Sequence, residues 1–229
     1  MTLNFYTKIK IIIFNLLIFS KHIDFYRFLL QNFKISKSQV FQDLFVLFYL
    51  NKKKNGYFIE IGGGNGIDIS NSFILEKKFN WKGMICEPNI YLQENIKKNR
   101  SAKLIANPIT DKSIKKVSFY MNKDPYQSSL NKSKIGDEKI ILNSYSLNDL
   151  ILNRKTNSDI DYISIDTEGN EYKILKNFDF KKFNIKIFTI EHNFEKTKRK
   201  KIYEIMIRNN YKRVFKNISY MDDWYLYIL

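Results

Sequence analysis

The sequence predicts an α/β protein, with N-terminal helices followed by a mainly parallel sheet that closes in an antiparallel hairpin. Three observations carry this reading. From about residue 56, short β-branched apolar runs alternate with helical stretches, as in strands joined by helical crossovers. A dense glycine cluster follows the first of these runs. Two apolar runs at the end of the chain are joined by a short connection rather than a helix.

The first 35 residues read as a helical extension to a domain spanning 36–229. Ile9, Ile12, Ile13, Leu16 and Leu17 fall on one helical face, which Ile11, Phe14 and Phe19 widen. The run 9–19 is too short to span a bilayer, and Lys10 and Asn15 interrupt it. Lys21, His22 and Asp24 follow where a signal peptide needs small residues. A packed or partner-covered helix is expected, with peripheral membrane contact as the alternative. The expected location is cytoplasmic.

Strands are expected at 57–61, 83–86, 103–106, 162–165 and 185–190, because runs such as Phe-Ile-Glu-Ile and Tyr-Ile-Ser-Ile suit buried parallel strands. Helices are expected at 70–78, 91–99, 171–178 and 199–209. The runs 211–215 and 224–229 form the closing hairpin and bring the strand count to seven. The stretch from 108 to 158 has no clear periodicity. Its place between the third and fourth parallel strands suits a cover over the site.

Composition excludes several classes. The apolar share of 44% is too high for a disordered chain. One cysteine, Cys86, excludes a disulfide framework and a cysteine-rich zinc site. Two histidines, His22 and His192, exclude a histidine-rich metal site. The formal net charge of +16 suggests a polyanionic partner at first sight. Yet Ile, Lys and Asn, all with AT-rich codons, dominate the composition, and a biased genome accounts for the excess lysine. Nucleic acid is therefore not the expected partner.

Five of the eight glycines lie between 56 and 66. The segment Glu60-Ile61-Gly62-Gly63-Gly64-Asn65-Gly66 leaves a strand and leads towards a helix, where glycines let a backbone approach a cofactor. A dinucleotide fingerprint spaced from Gly62 and Gly64 needs its third glycine at Ile67, so it fails. No Gly-Lys-Ser/Thr of a P-loop is present. The observed acidic-x-G-x-G-x-G spacing suits S-adenosylmethionine. Glu87 ends the next strand, where an acidic residue takes ribose hydroxyls.

Several blocks, taken in order, resemble one family, the FkbM-type S-adenosylmethionine-dependent methyltransferases. They are Ser38-Gln39-Val40-Phe41-Gln42-Asp43, the loop from Glu60 to Gly66, Ser70-Asn71 with Glu76, and Trp81-Lys82-Gly83 with Glu87-Pro88 and Asn99-Arg100. Ile160 to Gly169 with Glu171, and Ile190-Glu191-His192, complete the set. The resemblance covers about residues 38–229. It implies a Rossmann-like methyltransferase fold with a mainly parallel seven-stranded sheet. It also implies S-adenosylmethionine bound by Glu60, Gly62, Gly64, Gly66, Ser70, Asn71, Glu87 and Asp166. Glycans are prominent among the family's acceptors.

A sulfonium methyl group is already activated, so the acceptor needs positioning and, if a hydroxyl, deprotonation. Asp166, Glu168, Glu191 and His192 end the two strands beside the expected donor. His192 or Asp166 as general base is one reading. Mg²⁺ held by Asp166, Glu168 and Glu191 is the other. Glu168 or Glu171 also suits a helix cap, and His192 a buried structural role. An Asn/Asp-Pro-Pro-aromatic motif for adenine, a suitably placed cysteine for cytosine and a Lys-Asp-Lys-Glu set for ribose are all missing. The expected activity is O-methylation of a sugar or similar small alcohol. An RNA methyltransferase and a non-catalytic cofactor-binding module are the alternatives.

Overall fold

The computed structural model describes residues 23–131, 137–153 and 159–228. The Ile9 to Phe19 run lies outside them. The chain forms α1 (Ile23–Asn32), α2 (Gln42–Tyr49), β1 (Tyr57–Ile61), α3 (Phe73–Phe79), β2 (Lys82–Cys86), α4 (Ile90–Asn99) and β3 (Lys103–Ile105). Then come β4 (Ile109–Thr110), β5 (Ile114–Met121), β6 (Glu138–Ser146), α5 (Leu147–Leu152), β7 (Ile160–Ile165) and α6 (Glu171–Lys176). β8 (Ile185–Glu191), α7 (Lys196–Arg208), β9 (Tyr211–Val214) and β10 (Asp222–Tyr227) complete it.

Seven strands form one sheet in the order β3-β2-β1-β7-β8-β10-β9. β10 lies between β8 and β9 and runs antiparallel to both, which gives the expected closing hairpin. The other pairings, β1 with β2 and β7, β2 with β3, and β7 with β8, are parallel. The strand order reverses direction between β1 and β7. Crevices at the carboxyl ends of such strands are where open α/β sheets bind ligands.

Alternation along each strand assigns side chains to two helical layers. Tyr57, Ile59, Ile61, Ile163 and Ile165 face α5, α6 and α7, meeting Leu150, Ile174 and Met206. Phe58, Ile85, Tyr162, Ile187 and Trp224 face the other way, onto Phe25, Phe45, Ile74 and Ile96. Phe25 of α1 is wholly buried, with its ring 4.3 Å from that of Phe215. Phe45 stacks on Trp224 at 4.7 Å. Burying one such ring contributes about 2–3 kcal/mol. Through Phe25 and Leu29, α1 therefore packs onto the main core, and the sheet-covering layer begins before residue 36.

The stretch without periodicity holds a second sheet, β4-β6-β5. β5 and β6 show mixed exposure along their length, which removes the alternation that marks a strand. Ser146 ends β6 and caps α5 by accepting from Asp149 N. Beyond β5 the chain folds back, and Tyr120 and Ser129 exchange two backbone hydrogen bonds of 2.9 and 3.0 Å. This fastens residues 122–128 over the carboxyl ends of the main sheet. No described helix is long and apolar enough to cross a membrane.

Candidate active site

The glycine loop leaves β1 and turns back on the sheet. Gly62 N donates to Cys86 O at 3.0 Å, and Gly62 has φ of 86°. A Cβ there would lie 1.6 Å from the carbonyl oxygen of Asp166, so only glycine fits. Gly64, with φ of 54°, faces the ring of Tyr126, and a Cβ would come within 2.7 Å of it. Gly66 N closes the turn on Gly63 O at 2.9 Å.

Glu87 follows β2 and is buried beside this loop. Its Oε2 accepts from Gly64 N at 3.0 Å and its Oε1 from Asn89 N at 2.8 Å. Burial pushes its carboxyl up to about 7, against the pull of those two amides. It lines both a cleft and a neighbouring recess. The recess is bordered by Pro88, Ile109, Phe119 and Leu130 and has the apolar walls a purine ring needs.

The cleft is open to solvent. Asp166, Thr167 and Glu168 enter it after β7, Glu191 at the end of β8 and Asn193 just beyond. Asp166, Glu168 and Glu191 each offer a carboxylate oxygen within 4.8 Å of the others. Burial, then Glu191, Asp222 and other acids, hold the Asp166 carboxyl well above the usual carboxylate range. Glu191 is pushed up to about 8, by burial first and then by Glu171 and Glu168. Its Oε2 is buried without a hydrogen-bond partner. Three close acids of this kind hold either shared protons or a cation. Their oxygen donors suit a hard divalent ion.

The charged residues lining the cleft are Glu87, Asp124, Asp166, Glu168 and Glu191. Among the described residues, no lysine or arginine lines it. Among the described residues, the charge lining the cleft is thus opposite in sign to the net charge of the chain.

Not every expected site residue reaches this space. Gly62, Gly64, Asn71, Glu87, Asp166, Glu168 and Glu191 line it, whereas Glu60, Gly66, Ser70 and His192 do not. Glu60 shares the face of β1 with Phe58, so its carboxylate points into the helical layer. There it accepts from Ser70 Oγ, from Asn71 N at 2.6 Å and from Ser72 Oγ. Arg100 ties the same group together, donating to Gly66 O at 2.7 Å, Ser70 Oγ at 3.1 Å and Glu76 Oε2 at 3.1 Å. Glu60, Gly66 and Ser70 thus brace the wall behind the loop.

His192 is buried, and its Nδ1 accepts from Phe194 N at 3.0 Å. Burial lowers its pKa, so the ring is neutral. With Nδ1 engaged and the ring outside the cleft, this geometry counts against His192 as general base. Glu171 takes the capping role open to it. Its Oε1 accepts from Thr167 N and Gly169 N, while Lys198 Nζ donates to Oε2 at 3.0 Å.

Other cleft residues carried no signal of their own. Gln39 reaches it because Asp43 fastens the preceding turn through Ser36 and Ser38. Gln42 Nε2 donates to Asp222 at 2.7 Å and holds that turn to β10. Ser38, Gln42 and Asp43 belong to one sequence block, and the block's spacing was the available clue. Asn193, Met221 and Ile69 had none.

A doubly wound sheet with one reversed strand, a glycine loop at its switch point and an acid after the second strand define the S-adenosylmethionine-dependent methyltransferase class. A family model described as the methyltransferase FkbM domain matches residues 60–225. The chain belongs to the FkbM methyltransferase family and is an S-adenosylmethionine-dependent methyltransferase. No curated protein matches it. Among solved structures it is similar to a precorrin-6y C5,15-methyltransferase from Geobacter metallireducens, at 12% identity and a TM-score of 0.43, over 75% of this chain and 71% of that one. It is also similar to the human methyltransferase 10 domain containing protein, at 12% identity and 0.45, over 81% and 80%. A methyltransferase from Pyrococcus furiosus gives 15% and 0.40, over 80% of each chain. Likenesses this distant do not bear on the substrate.

Proposed function

We propose that the protein transfers the methyl group of S-adenosylmethionine to a hydroxyl of a sugar or similar small alcohol. The observation that carries this is that every charged residue lining the cleft, among those described, is an acid. Such a lining attracts the donor's sulfonium and repels a phosphate backbone, while its carboxylates accept hydrogen bonds from a polyol. An RNA acceptor is disfavoured for the same reason, despite the net charge.

In this reading the adenine occupies the recess between Pro88 and Phe119, and Glu87 receives the ribose hydroxyls. Gly62 and Gly64 let the donor lie against the backbone. Asp166, its proton affinity raised by burial and then by its acidic neighbours, takes the acceptor's proton as the methyl group moves.

A second reading is favoured by the clustering of Asp166, Glu168 and Glu191 and by the unpartnered oxygen of Glu191. These three residues would hold Mg²⁺, which acidifies a bound hydroxyl. Methylation of a glycan panel, with and without EDTA, tests both. Turnover that survives EDTA supports the base, and turnover restored only by Mg²⁺ supports the ion. Methylation of RNA but of no glycan would overturn the acceptor.

A further inference from the structure

Beside the acidic cleft the backbone takes an unfavourable path. Asn193 and Phe194, consecutive residues after β8, have φ of 47° and 58°, and Tyr220, just before β10, has φ of 53°. Left-handed backbone is uncommon for bulky side chains and marks a position that the surroundings impose. Here the surroundings are visible. His192 N and Asn193 N donate to Met221 O at 2.9 and 3.2 Å, joining the two turns. Phe194 N donates to His192 Nδ1 at 3.0 Å.

These turns present two aromatic rings to solvent. Phe194 is 53% exposed and Tyr220 60% exposed, with ring centroids 4.8 Å apart at 80°. A single exposed ring needs no explanation. This pair is held by three left-handed residues and adjoins the site. Phe194 borders an open recess with Glu168 and Asn193, and both of those also line the cleft. Met221, next to Tyr220, lines the cleft as well.

Aromatic faces beside polar acceptors match one ligand chemistry. A pyranose ring offers apolar C–H groups on its face and hydroxyls at its edge. The rings supply a π-face for the first, and Glu168 and Asn193 supply acceptors for the second. We propose that Phe194 and Tyr220 form the acceptor subsite, one ring stacking on a pyranose and the other, set at 80° to it, flanking the sugar's edge, so that one of its hydroxyls faces Asp166 and Glu191. His192 is a positioning residue that holds Phe194 through its Nδ1. The proposal rests on the carbohydrate reading above.

The test uses the full chain saturated with S-adenosylhomocysteine and a panel of methyl glycosides of hexopyranoses and 6-deoxyhexopyranoses. Saturation-transfer NMR reads contact with the ring C–H protons. At least one glycoside gives signal with the wild type. A double Phe194→Ala, Tyr220→Ala variant weakens its binding about tenfold, while S-adenosylhomocysteine affinity and the thermal midpoint stay unchanged. Phe194→Trp retains glycoside binding. His192→Asn, whose side-chain oxygen still accepts from Phe194 N, retains it too, whereas His192→Leu loses it. Undiminished glycoside binding by the double variant overturns the platform and leaves the carbohydrate reading standing. A wild type that binds no glycoside overturns both.

Discussion

Gly62 and Asp166 meet backbone to backbone, so closely that a Cβ on Gly62 would sit 1.6 Å from the Asp166 carbonyl oxygen. Asp166 N also donates to Ile61 O at 2.9 Å. The cofactor loop and the acidic loop are thus one rigid unit, and shifting either moves the other. Gly62→Ala must move this backbone and adopt a φ of 86°. The expected cost is roughly 3 kcal/mol of stability, with loss of both cofactor binding and turnover. Chemical denaturation with calorimetric titration checks it. A variant of wild-type stability and affinity would show that the loops are not coupled.

Period-two alternation explains both what the sequence revealed and what it concealed. Glu87, Asp166 and Glu191 were legible because each ends a strand whose apolar run is unmistakable, and parallel strand ends converge. Glu60 was misplaced by the same rule. It lies one residue inside its strand, on the face of Phe58, so it turns to Arg100 and not to the cleft. His192 lies one residue past its strand, where the chain turns into left-handed backbone that no apolar pattern announces. The small β4-β6-β5 sheet stayed hidden because its strands are only partly buried.

Arg100 is buried with Glu60 and Glu76. Burial raises the Glu60 carboxyl, and Arg100 acts against that rise. Arg100→Ala leaves buried acids without their cation, which costs about 3–5 kcal/mol. Arg100→Lys recovers only part, because one ammonium cannot reproduce the fork that spans Gly66, Ser70 and Glu76. Urea unfolding of the two variants measures this. S-adenosylmethionine affinity falls with stability, since the braced wall carries the glycine loop.

In the proposed donor pose, Glu87 would meet the ribose with a buried carboxyl already aligned by Gly64 N and Asn89 N. Glu87→Ala removes charge-assisted hydrogen bonds of about 1.5–3 kcal/mol. Cofactor affinity should fall by about tenfold to a hundredfold. Calorimetric titration with S-adenosylmethionine decides it, and equal affinity for variant and wild type would contradict the ribose assignment.

Asp166 separates binding from chemistry. Asp166→Asn keeps the backbone contact with Gly62 and removes the proposed proton acceptor. Cofactor affinity should stay within a few-fold, while turnover falls by about 10²–10⁴. Single-turnover assays on the active acceptor check this. If turnover survives in Asp166→Asn but not in Glu191→Gln, the base is Glu191.

Glu191 makes the acidic cluster visible in stability. Its carboxyl sits at about 8 in the folded chain, against an ordinary value of 4.5. Between those values the folded state holds a proton that the unfolded state has lost, so this group lowers stability as pH rises. Other ionisable groups tilt the total curve, and comparing variant with wild type cancels them. Glu191→Gln should leave stability nearly unchanged at pH 4. Its advantage over wild type should then grow steadily to pH 8. Denaturation curves across that range, run without divalent cations, provide the test. Added Mg²⁺ should erase the advantage if Asp166, Glu168 and Glu191 hold the ion, because the cation compensates the same charges that the substitution removes. A difference that stays flat with pH would show that Glu191 is ionised in the folded protein without penalty.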